Sequence, residues 1–176
     1  VKKPIRSRGV EFLFHVVPPE PSDTTPGARV PSRQLSRFLS GSLLHEVVTR
    51  QPDGRAKLDS SLKELLREVD GRSLKGPELP AAFPELREFV DEAAKAALAG
   101  AKAQLEQLKE DARALIEDER DLSMLRIKLS LSHQGVPAKK IEEVLREELA
   151  FTDELLDALD GTKVQLDSAC AFVINR

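Results

Sequence analysis

From Pro84 to about Ser132, apolar residues recur at steps of three and four. Leu98, Ala101, Leu105, Leu108, Ala112, Leu115 and Leu122 form the series, and Glu119 is out of character within it. This heptad pattern predicts one helix, which at ~1.5 Å per residue would run about 70 Å. Its first part, Glu92–Ala103 (EAAKAALAGAKA), is rich in alanine, so another backbone or a sheet can approach closely, and Gly100 is a weak point in an otherwise strong helix former. Gln134-Gly135-Val136-Pro137 ends the run. Gly135 suits the left-handed position after a helix, and Pro137 suits the first turn of the next one. A second helix is predicted over Ala138–Leu159, with Ile141, Leu145, Leu149, Leu155, Leu156 and Leu159 on its stripe. The short connection makes the two helices antiparallel neighbours. A turn at Gly135 sets Leu159 opposite about residue 110, which leaves the alanine-rich part without a partner helix and predicts that it packs on the N-terminal strands.

The pattern before residue 84 is different. Val1–Gly9 is polar and basic and reads as a linker or arm, whereas Val10–Val17 (VEFLFHVV) is β-branched and aromatic and predicts a covered strand ended by Pro18-Pro19. Glu20–Arg33 reads as a Pro-rich loop, and Gln34–Leu39 is ambiguous. Ser42–Thr49 predicts a second strand, Gln51-Pro52-Asp53-Gly54 a turn, and Arg55–Leu58 a short return strand. Asp59 or Ser60 can cap a helix through Val69 that carries Leu62, Leu65, Leu66 and Val69 on one face, with Gly71 as its stop; Leu74–Phe83 reads as a Pro/Gly loop. At the other end, alternation of Val164, Leu166, Cys170, Phe172 and Ile174 suggests a strand over about Ser168–Ile174 that returns to pair near Val10–Val17. Leu159, Thr162, Leu166, Ala169 and Val173 also fit helical spacing, so helix past Gly161 is the competing reading. The predicted class is α+β: a small antiparallel β-sheet packed on a long helix that forms an antiparallel hairpin with a second helix. Residues 1–83 form the β-rich part and 84–176 the hairpin with its closing strand, together one accessory domain.

Composition narrows the function classes. The 176 residues carry seven Phe, no Trp and no Tyr, and no stretch near twenty apolar residues suggests a membrane span or a signal peptide. A start at Val1 suggests a domain taken from a longer polypeptide, and the single cysteine fits a reducing cytoplasm. Residues 1–55 hold nine Lys/Arg against five Asp/Glu, and the remainder eighteen against twenty-five. This asymmetry permits a nucleic-acid or acidic-protein contact near the N-terminus through Lys2, Lys3, Arg6 and Arg8, although no aromatic is interleaved for base stacking.

Site chemistry is sparse. Neither G-x-x-x-x-G-K-[ST] nor G-x-G-x-x-G occurs, so no phosphate cradle is visible and no cofactor is expected. His15, His45 and His133 stand alone, without the spacing of a metal site, and Cys170 reads as a core residue. The charge run Glu117–Asp121 reads as a solvated helix face, within which Glu119 marks either a shift of the stripe or the dock of an Arg or Lys from another element. No residue is a catalytic candidate. The hairpin is the better interaction candidate, with Glu119, His133, Lys139 and Lys140 as surface candidates.

The order of these pieces resembles a known family. Glu11–Val16, Glu92–Leu108 and the closing Leu166–Ile174, in the run QLDSACAFVIN, are similar to the C-terminal region of RapA-like bacterial Swi/Snf-type ATPases, and the likeness covers nearly the whole chain in order. The resemblance implies a non-catalytic accessory domain of an ATP-dependent helicase-type motor that recycles RNA polymerase. Its expected partners are ATPase lobes upstream in the same polypeptide, RNA polymerase, and DNA or RNA through the parent protein. The rival readings are a free-standing coiled-coil oligomerisation module and a nucleic-acid-binding domain using the basic N-terminal third.

Overall fold

A computed structural model describes residues 6–20, 30–39, 43–68, 75 and 77–175, with the backbone alone at residues 6, 67, 68 and 175. In chain order the elements are β1 (Arg6–Val17), α1 (Pro31–Gln34), a 3-10 turn (Leu35–Arg37), β2 (Leu43–Arg50), β3 (Ala56–Leu58), α2 (Ser60–Glu68), α3 (Glu78–Ala82), α4 (Leu86–His133), α5 (Ala138–Asp160) and β4 (Lys163–Asn175). The fold is α+β, a four-stranded antiparallel sheet of order β3-β2-β1-β4 with long helices.

The chain forms two compact units. One holds residues 1–15, 43–104 and 164–176; the other holds residues 16–42 and 105–163. The division passes through α4 at residues 104 and 105 rather than before it. The reason is local: the two parts of α4 meet different partners.

In the first unit, β1 pairs antiparallel with β2 through Val10↔Val48, Phe12↔Glu46 and Phe14↔Leu44. Alternation along the strands puts Val10, Phe12, Phe14, Leu44, Glu46 and Val48 on one face. Part of α4 covers that face. Ala93, Ala97 and Ala101 are fully buried at steps of four, and a Cβ on Gly100 would lie 3.0 Å from Leu58 and 3.1 Å from the Glu46 carboxyl carbon. The alanine-rich segment thus packs on the strands as its composition predicts, and Gly100 is a point of close approach as well as a weak helix former.

The turn signals also hold. Gly54 has φ +92° and donates to Gln51 O at 2.9 Å, and β2 and β3 pair through Val48↔Leu58. Asp59 caps α2 by accepting from Leu62 N at 3.2 Å. The predicted Val69 face position and Gly71 stop lie outside the described residues.

Several expectations are corrected. The N-terminal arm ends earlier than its polarity suggests, since β1 begins at Arg6. Gly9 is buried in it because only a residue without a side chain fits: a Cβ there would lie 2.3 Å from Val48 O and 2.6 Å from the Phe172 ring. The Leu74–Phe83 loop contains α3, with Pro80 in the first turn, where a missing N–H costs nothing, and Phe83 buried against Phe89 at 5.7 Å between ring centroids. The Glu20–Arg33 loop includes the start of α1, which has Pro31 at its first position. Past Gly161 the chain is strand over Lys163–Asn175, not helix, and β4 lies beside β1 at the sheet edge. That edge exposes Cys170, which is not a core residue.

In the second unit, residues 105–133 of α4 and α5 form the antiparallel hairpin. Gly135 takes φ +72°, and Val136 N donates to Leu131 O at 3.0 Å, closing α4 in a Schellman motif. Lys109 donates to Asp160 O at 3.1 Å and Arg113 to Asp160 Oδ1 at 2.5 Å, matching the expected position opposite residue 110. The predicted stripe holds at Ala101, Leu105 and Ala112 and shifts beyond them. Leu105, Ala112 and Ile116 are buried, whereas Leu115 and Leu122 are exposed. On α5, Ile141, Thr152, Leu155 and Leu159 are buried and Leu149 is exposed. Beyond Ala112 the inner face of α4 steps one residue round the helix, from Leu115 to the β-branched Ile116, which lines one cleft with Leu155 of α5.

Candidate interaction surface

Polar side chains converge at three places in the first unit. Glu46 is buried on β2, accepts from Gln104 Nε2 and lies 3.9 Å from Lys63 Nζ. Burial raises its pKa above the usual carboxylate range, and the Lys63 cation and the Gln104 hydrogen bond pull it part of the way back. His45 Nε2 sits 2.6 Å from Glu11 Oε1, and His15 Nε2 3.0 Å from Asp167 Oδ1, linking β2 and β4 respectively to β1. These clusters bridge neighbouring elements. Among the described residues, no group of three or more His, Cys, Asp or Glu is placed to hold a metal ion. No described helix is long and apolar enough to cross a membrane.

Of the basic N-terminal candidates, Lys2 and Lys3 lie outside the described residues, as does the Arg6 side chain. Arg8 projects from β1 to an ion pair with Glu85 at 3.1 Å. The remaining candidates lie on the hairpin. Glu119 receives a hydrogen bond from Arg37 Nη2 at 3.0 Å, so a basic residue of another element does dock there, and it comes from the 3-10 turn. His133 ends α4, and Lys139 and Lys140 open α5; all three are exposed at the hairpin turn, about 20 Å along the helix from Glu119.

Within the hairpin, Ile116 lines a cleft with Arg37 of the 3-10 turn and with Thr152 and Leu155 of α5, and Ser123 donates to Glu148 Oε1 at 3.0 Å across the two helices. A second apolar stripe points elsewhere: Leu115, Leu122, Leu125 and Leu129 are 54, 53, 53 and 62% exposed. Sequence reasoning found Leu115 and Leu122 but gave them to the internal seam. It missed Leu129, which the same heptad spacing could have added seven residues after Leu122, and Leu125, which lies one residue off that spacing.

No family model matches this chain, and no curated protein matches it.

Proposed function

We propose that the chain is a non-catalytic protein-interaction domain, the accessory C-terminal domain of a RapA-like ATP-dependent motor that works on RNA polymerase. The observation that carries this reading is the closing strand. β4 returns beside β1, so the chain that leaves the sheet at the β3 edge and runs through α4 and α5 rejoins it at the opposite edge. The segments that build this arrangement, Glu11–Val16, Glu92–Leu108 and Leu166–Ile174, are the ones that carry the resemblance. In this reading the sheet is the scaffold, and the exposed turn with His133, Lys139 and Lys140 is the contact with the polymerase.

The test is capture of RNA polymerase by the chain, alone and within the open reading frame that encodes it. Retention that falls at least tenfold in Lys139→Glu/Lys140→Glu is the expected result. No retention in either form overturns the assignment of the partner. The reading also expects a Walker A loop and a D-E-x-x box encoded upstream of Val1.

A further inference from the structure

We infer that the exposed leucine stripe of α4 is a self-association surface that pairs two copies of this chain antiparallel. At about 100° per residue, Leu115, Leu122 and Leu129 drift only ~20° per heptad, and Leu125 lies beside them. The inward residues Ile116, Ser123 and Ile127 centre roughly 130–140° away around the helix, so the hairpin leaves this stripe open. Leucines at 115, 122 and 129 take heptad position a, and Leu125 takes d, with Asp118 and Ser132 at the other two d positions.

The flanking charges select the occupant and its direction. The e positions hold Glu119 and Arg126, and the g positions hold Asp121 and Lys128. In an antiparallel pair, a layers oppose d layers, e faces e, and g faces g. With Leu122 opposite Leu125 of the second copy, Glu119 meets the other copy's Arg126, and Asp121 meets its Lys128. The two-fold axis doubles each pair, so all four flanking contacts join opposite charges. A parallel pairing sets each g residue against the following e residue of the other copy, so Asp121 meets Arg126, Ala114 meets Glu119 and Lys128 meets His133; the two-fold axis then gives two contacts of opposite charge rather than four. Arg126 and Lys128 have no ion pair among the described residues. Among the described residues Glu119 pairs with Arg37 and Asp121 with Arg120 at the surface, and such pairs exchange partners at little cost. The inference does not rest on the polymerase assignment.

Sedimentation equilibrium of the whole chain over about 1–200 μM reads the self-association constant. A reversible dimer is expected, weakened at least tenfold by Leu122→Glu/Leu129→Glu, and circular dichroism confirms that these exposed changes leave the fold intact. Arg126→Glu weakens the dimer, and adding Glu119→Arg restores it. With Cys170→Ser as background, a mixture of Leu115→Cys and Ser132→Cys chains forms a mixed disulfide, whereas Leu115→Cys alone does not crosslink. A monomer throughout the range, a dimer indifferent to the leucine changes, or ready Leu115→Cys homodimer crosslinking overturns the proposal; in the first case the stripe serves a different protein.

Discussion

Gly9→Ala tests the closest backbone approach in the sheet. The added Cβ would fall 2.3 Å from Val48 O and 2.6 Å from Phe172 Cζ. A carbon–oxygen contact settles at about 3.3 Å, so the strands must separate by about 1 Å or the register must distort. The Phe172 ring can swing, but Val48 O cannot, because Val10↔Val48 and Gly9↔Thr49 fix the ladder there. Overpacking of this kind costs about 3 kcal/mol. Alanine recovers about 0.7 kcal/mol by narrowing the unfolded ensemble. The net loss of roughly 2 kcal/mol lowers a urea midpoint by about 1 M for a slope of about 2 kcal/mol/M. Amide exchange places the loss: protection falls across β1 and β2 and is unchanged in α5. A midpoint within about 0.2 M of the parent chain would refute the reasoning and mean that β1 stands further from β2 than described.

Ala97→Leu pushes a large side chain between α4 and the sheet and lowers stability by about 1–3 kcal/mol, read as a reduced melting temperature; no change would mean that α4 does not cover Phe12 and Phe14. Glu46 gives a pH signature. Its carboxyl is raised by burial, so the folded chain binds more protons than the unfolded chain between the ordinary carboxylate value and the raised one. Its contribution to stability is complete below that window and is lost as pH rises through it. Glu46→Gln keeps the neighbour of Gln104 without the charge. The difference in stability between variant and parent should grow in the variant's favour across the window and then level off, and parallel pH–stability curves would refute the role of burial.

What the sequence alone determined is the set of elements whose signals are local. A heptad run with a glycine-proline stop specifies the α4–α5 hairpin, because helix periodicity and the left-handed position at Gly135 need no distant partner. The Pro52–Gly54 turn and the Asp59 cap are read for the same reason. The antiparallel pairing even sets the end of α5 opposite residues 109–113, since rise per residue is a constant. Tertiary structure decided the rest. Which of two neighbouring heptad phases is buried depends on the shape of the facing surface, and α5 with the 3-10 turn takes Ile116 rather than Leu115. The ambiguity of residues 162–174 between strand and helix is settled by β1, whose free edge offers a row of hydrogen-bonding groups that an isolated segment lacks. Gly9 looks like part of a linker until β2 and Phe172 surround it. Cys170 looks like core until β4 proves to be the edge strand, and exposure follows from that position in the sheet rather than from the residues on either side of it.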